Sequence, residues 1–162
     1  MKKDRAFTLI ETILAVLILS IASSIGFLTI QYVLNLHSIT FNKLIANYLA
    51  QEGIEIVRNI RDNNWLSDEI WNKGLLECNN SPNFCEIDYN DTELQSTTSL
   101  RYLRYDNNSN FYNYETGALT NFQRRIIITT STASTSVEVS VIWHNRGKTS
   151  STTAQEILYN WK

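Results

Sequence analysis

Between Thr12 and Asn42 the chain contains no Asp, Glu, Lys or Arg, and Ile13 to Leu36 is almost wholly aliphatic, small or aromatic. At about 1.5 Å rise per residue, some 20 such residues cross the roughly 30 Å hydrocarbon core of a bilayer as one helix. No proline interrupts the stretch. Ahead of it stand Lys2, Lys3, Asp4 and Arg5, a basic head that the positive-inside bias holds in the cytoplasm, so that the remainder of the chain faces outward. A secretory signal peptide has a shorter apolar core, followed by a small-x-small cleavage site. Here the run is too long, and Ala22-Ser23-Ser24 lies inside it. An uncleaved signal anchor stays open on hydropathy alone.

Glu11 bears on that choice. A carboxylate at the entrance of an apolar span is costly and by default marks a functional site. The alternative is a charge resting at the interface, where the positive end of the helix dipole favours it. Composition narrows the classes further. With 162 residues the chain suffices for one modest domain. A net charge of -2 argues against a protein built to grip nucleic-acid phosphates. Two cysteines are too few for a disulfide scaffold or a zinc-finger framework.

The segment from Lys2 through Phe7-Thr8-Leu9-Ile10-Glu11 to Ile18 resembles the N-terminal signature of type IV pilins and type II secretion pseudopilins: a short basic leader, a small residue, then Phe-Thr-Leu-Ile-Glu opening a long apolar helix. The resemblance implies cleavage by prepilin peptidase between Ala6 and Phe7 and methylation of the new Phe7 amine. Ala6 stands where the family usually has Gly. It also implies that Glu11 pairs with the free amine of residue one in a neighbouring subunit. In low dielectric an unpaired charge is strongly penalised, so such a pair sets register along the filament. Removing the leader, net +2, would leave a mature chain of 156 residues with net charge -4.

Helical periodicity continues past the apolar span. Phe41, Leu44, Ile45, Tyr48, Leu49, Ile56, Val57 and Ile60 form a stripe at spacings of three and four. No heptad pattern is sustained as a coiled coil would require, so the outer half of the helix is expected to pack on the chain's own C-terminal part, as in the pilin fold. Gly53 within the stripe either admits a close-lying strand or is tolerated at about 1 kcal/mol against Ala. Glu52 and Arg58 read as solvated or rim charges. Arg61-Asp62-Asn63-Asn64 reads as the helix stop.

Residues 65–99 read as an irregular connection with scattered apolar anchors. Within it, Cys78 and Cys85 enclose a short loop; in an oxidising compartment outside the membrane they are expected to form a disulfide, a placement unlike the C-terminal loop disulfide of many pilins. From Leu100 the pattern turns to period two, with turns at Asp106–Asn110, Glu115–Gly117 and Asn145–Gly147. Successive strands with short turns suggest an antiparallel meander, one face of which covers the helix.

Catalytic chemistry is thinly represented. His37 and His144 have no convergent partners in the sequence, and no phosphate-cradling glycine loop or nucleophile elbow occurs. Asp88–Asp91 and Asp106–Asn110 could offer oxygens to calcium, but Asn/Asp runs more often make turns. Tyr102, Tyr105, Phe111, Tyr112 and Tyr114 could stack on bases, yet no basic patch adjoins them, which favours packing on the sheet.

The fold expected is α+β, with a long N-terminal helix packed on an antiparallel sheet. Its expected divisions are a leader at 1–6, an apolar polymerisation helix at 7–36, an amphipathic continuation at 37–61, a variable loop at 62–99 and a sheet at 100–162. The resemblance implies a non-enzymatic subunit of a pilus or a secretion or competence pseudopilus, with no required cofactor. The Trp- and Asn-rich insertion and displaced cysteine pair lean towards a minor subunit. Its expected partners are other pilin subunits, prepilin peptidase/methyltransferase, a membrane assembly platform and lipid, with no clear nucleic-acid site. It would sit in the cytoplasmic membrane, N-terminus inside, before entering an extracellular or periplasmic filament. The rival reading is an uncleaved, membrane-anchored binding domain.

Overall fold

A computed structural model describes residues 8–75, 78, 84–131, 133–145 and 147–160. Ala6, Phe7 and the leader lie outside the described residues. The chain forms two compact units, Met1–Phe41 and Asn42–Lys162.

Helix α1 spans Leu9–Leu66, 58 residues. Thr8 caps its start: the Glu11 amide donates to the Thr8 carbonyl at 3.1 Å and lies 3.4 Å from the Thr8 hydroxyl. In the first unit, residues 8–34 are all exposed. Their hydroxyls turn back on the helix itself: Ser20 donates to the Leu17 carbonyl, Ser23 to Leu19, Ser24 to Ser20 and Thr29 to Ile25. A hydroxyl satisfied in this way adds little desolvation penalty in hydrocarbon.

In the second unit α1 packs on the sheet through Ala46, Leu49, Ala50, Gly53, Val57 and Ile60. This shifts the expected stripe, because Phe41, Leu44 and Tyr48 are exposed. Small residues set the face. A Cβ on Gly53 would stand 2.8 Å from a Val139 methyl, so the Val139 side chain would have to shift to admit one.

The helix also runs through Arg61–Asn64, the expected stop, to Leu66. The stop is a Schellman arrangement: the Glu69 amide donates to the Asn64 carbonyl at 2.8 Å, the Asp68 amide to Trp65 at 3.4 Å, and Asp68 takes φ 54°. The Asn64 side-chain amide meanwhile donates to the carbonyls of Trp71 and Lys73. The asparagine thus serves the following loop without breaking the helix.

Seven antiparallel strands follow: β1 Phe84–Glu86, β2 Gln95–Thr97, β3 Tyr102–Asp106, β4 Phe111–Asn113, β5 Ala118–Thr130, β6 Ser134–Asn145 and β7 Lys148–Tyr159. Only β5, β6 and β7 make the expected meander, with Ile126 opposite Val139 and Val139 opposite Ala154. The other edge of β5 holds two hairpins: β3 pairs with it at Leu119 and Gln123, and β1 at Ile126. β5 has 13 residues, and β1 only 3, so one long strand has room for both. Residues 65–99 are therefore not irregular throughout, since β1 and β2 belong to the sheet. Cys78 and Cys85 are joined by a disulfide, Cα atoms 5.5 Å apart, which ties the preceding loop to β1.

Period two decides the sheet's faces. Val137, Val139, Val141 and Trp143 of β6 are buried with Phe122, Ile126 and Ile128 of β5. These residues and the α1 stripe form one core, joined by Leu103 and Leu158.

Candidate functional site

The first unit carries Glu11 and the apolar span. Glu11 occupies the first turn of α1, exposed, with no ion-pair partner among the described residues. Thr8-x-x-Glu11 has the spacing of a capping box, a signal that explains helix initiation without reference to a partner. Leu9, Ile10, Ile13 and Leu14 beside it are more than half exposed. This stretch is long and apolar enough to cross a membrane, and among the described residues none of its most apolar window is buried.

The second unit contains a buried polar centre, one member of which, Glu52, reads from the sequence as a solvated or rim charge. Arg124 is 0% exposed. Its guanidinium donates to Glu52 at 3.0 Å, to the Leu49 carbonyl at 3.4 Å, and to the Ile87 carbonyl. Glu52 is thus the counter-ion of a core cation rather than a solvated charge. The pattern contained the clue, for Phe122, Arg124, Ile126 and Ile128 share one strand parity. Arg58 pairs with Glu55 and, at 2.6 Å, with Glu156 of β7. It links the helix to the sheet edge.

Around Arg124 lies a second set of buried polar groups. The Tyr114 hydroxyl reaches the Arg124 carbonyl at 3.5 Å, and the Tyr114 amide donates to Asp88 at 3.2 Å. Burial pushes the Tyr114 phenol up to about 12, so it stays neutral. Burial also raises Asp88 above the ordinary carboxyl range, against the lowering effect of its bond from Tyr114. Glu86 accepts from the Arg101 amide at 3.0 Å and from its guanidinium at 2.7 Å, and Arg101 lies 4.7 Å over the Tyr114 ring. Among the described residues these groups bond chiefly to one another, with Asp88 Oδ1 and Arg124 Nε buried without a hydrogen-bond partner.

The oxygen-rich turns are likewise occupied by their own backbone. Asp106 accepts from the Asn108 amide at 2.9 Å and the Ser109 hydroxyl at 3.1 Å, and Asp91 accepts from the Asp88 amide at 2.9 Å. The aromatics pack together: Tyr105 on Tyr112 at 5.1 Å, Tyr112 on Phe122 at 6.2 Å, and Tyr89 on Phe111 at 4.3 Å. His37 stacks beside Phe41, and His144 bonds Thr149 at 3.0 Å. The two histidines lie in different units, each with its own local contact.

A family model described as the prokaryotic N-terminal methylation motif matches residues 1–27. No curated protein and no solved structure matches the chain. The motif covers the basic head, Ala6, Phe7, Glu11 and the first half of the apolar span, and it implies other pilin subunits and prepilin peptidase as partners. The chain is therefore a membrane-anchored protein with a type IV pilin-like prepilin signal, of a structural and not an enzymatic class.

Proposed function

We propose that the chain is a filament subunit, of minor type, in a type IV pilus or a related secretion or competence pseudopilus. It enters the cytoplasmic membrane with its N-terminus inside, is cut between Ala6 and Phe7, is methylated on the Phe7 amine, and is lifted from lipid by a membrane assembly platform. Residues 7–36 then leave lipid for contact with the same segments of neighbouring subunits, and Glu11 pairs with a neighbour's Phe7 amine. The unit beyond Phe41 is displayed outside the membrane. The observation that carries this reading is the division of burial along α1. The segment from Leu9 to Phe41 leaves its large apolar side chains exposed, whereas one face of Ala46 to Ile60 is buried in the core it shares with the chain's own sheet.

Intact mass of the protein recovered from cells tests the processing step. Loss of Met1 to Ala6 plus gain of one methyl group is the expected result. A functional protein that retains Lys2 to Arg5 would instead be the uncleaved anchor. For assembly, Glu11→Val is expected to insert in the membrane normally but to enter filaments about a hundredfold less. Removing one partner of a buried pair costs ~3–5 kcal/mol, and each 1.4 kcal/mol is tenfold. Incorporation at the wild-type level would remove the pairing role.

A further inference from the structure

A groove runs beside the last turns of α1, wholly within the second unit. Ile56, Asn59, Ile60 and Asn63 form one wall, and Tyr89 to Thr92 form the other. A second lobe continues from Asn63 and Thr92 towards Glu93 and Lys73. Each lobe encloses about 310 Å³, and the two share Ile60, Asn63 and Thr92, so together they lie within the ~300–1,000 Å³ typical of ligand sites. We propose that this groove binds a neutral oligosaccharide bearing acetamido groups.

The lining selects that chemistry. Asn59, Asn63 and Asn90 are exposed, and their side-chain amides take part in none of the hydrogen bonds among the described residues. Each offers two donors and an acceptor, the complement of vicinal hydroxyls and of an acetamido N–H and C=O. Asn59 and Asn63 are four apart on α1, so they stand ~5–6 Å from each other on one face, about the width of a hexose ring. Tyr89 is 40% exposed, and its ring is held on Phe111 with centroids 4.3 Å apart and planes within 14°. This rigid aromatic can face the C–H side of a sugar. Ile56 and Ile60 supply an apolar floor for an acetamido methyl. The wall is preorganised, because Asn64 spends both amide hydrogens on the carbonyls of Trp71 and Lys73.

Other ligand classes fit poorly. Asp91 and Glu93 line the lobes, and Lys73, the cation among the described lining residues, is paired with Glu69 at 2.9 Å, so a phosphate or nucleic-acid backbone meets negative potential. No group of three or more His, Cys, Asp or Glu suited to a metal occurs among the described residues. Two isoleucines are too small an apolar area for an acyl chain.

The proposal is independent of cleavage and assembly, and is tested on the full-length protein in detergent. Saturation-transfer NMR with the tetramer of β-1,4-linked N-acetylglucosamine is expected to show contact through acetamido methyl and ring protons. Tyr89→Ala and Asn63→Ala, both at exposed positions, should each weaken binding about three- to tenfold, in line with ~0.5–1.5 kcal/mol for one stacking or hydrogen-bonding contact. Gln51→Ala, exposed on α1 away from the groove, should bind as the wild type. Absence of transfer at millimolar tetramer, or binding that neither groove variant changes, overturns the proposal. So does displacement of the tetramer by an Asn-rich tetrapeptide of equal concentration, which would make the groove a peptide site.

Discussion

Glu52→Ala should lower the stability of the second unit by about 3 kcal/mol, near the bottom of the ~3–5 kcal/mol seen when one partner of a buried ion pair is removed. The lower end is chosen because the Glu52 side chain is 30% exposed while Arg124 is fully enclosed, so water partly screens the pair. Arg124 cannot shed its proton. Without Glu52 the guanidinium keeps only carbonyl partners, Leu49 and Ile87. Glu52→Gln retains an acceptor and should lose about half as much. The double variant Glu52→Ala with Arg124→Met should recover part of the loss, since an apolar side chain of similar length removes the stranded charge. Chemical unfolding followed by tryptophan fluorescence reads all three. A midpoint unchanged in Glu52→Ala would show that the pair does not hold the helix to the sheet.

Gly117→Ala is expected to destabilise by about 3 kcal/mol or more, combining a strained backbone with overpacking. Gly117 has φ 97° and ends the turn between β4 and β5, where a Cβ would stand 2.3 Å from the Tyr105 carbonyl oxygen and 2.7 Å from the Asp106 nitrogen. Backbone atoms cannot rotate away as a side chain can. The β3–β5 pairing of Tyr105 with Ala118 must therefore open, and the bond from Arg104 to the Gly117 carbonyl at 3.1 Å goes with it. Gly147→Ala is the matched control. It also has positive φ, 78°, but its Cβ would meet nothing within 4 Å, so only the conformational cost of about 1 kcal/mol applies. Equal melting temperatures for the two variants would mean that close approach is not what Gly117 serves.

Local patterns were legible wherever one physical rule dominated. The uncharged run from Thr12 to Asn42 marked a helix, and the Val137–Trp143 alternation marked a strand with one buried face. Turn residues were ambiguous because the same side chains cap, bridge or terminate. Asn64 illustrates this: it looked like a stop, but its side-chain amide supports the following loop, and the stop is made by the Asp68 and Glu69 amides with Asp68 at positive φ. The stripe on α1 held for Ile45, Leu49, Ile56, Val57 and Ile60 but not for Phe41, Leu44 and Tyr48, for a related reason. Periodicity weighs large apolar residues, whereas the sheet selected the face with Ala46, Ala50 and Gly53, where Val139 packs directly against the glycine. That choice left Phe41, Leu44 and Tyr48 outside.

By itself the sequence determined the prepilin signal, the apolar helix and the presence of a disulfide-competent pair, because each depends on residues close together in the chain. It also determined the strand parity of Val137, Val139, Val141 and Trp143. The tertiary structure alone decided that Glu52 answers Arg124, that two hairpins share one edge of β5, and that Asn59, Asn63 and Tyr89 line a single groove. Those arrangements join residues 13 to 72 positions apart, and no local periodicity encodes which distant partner a buried charge or an unfilled edge will meet.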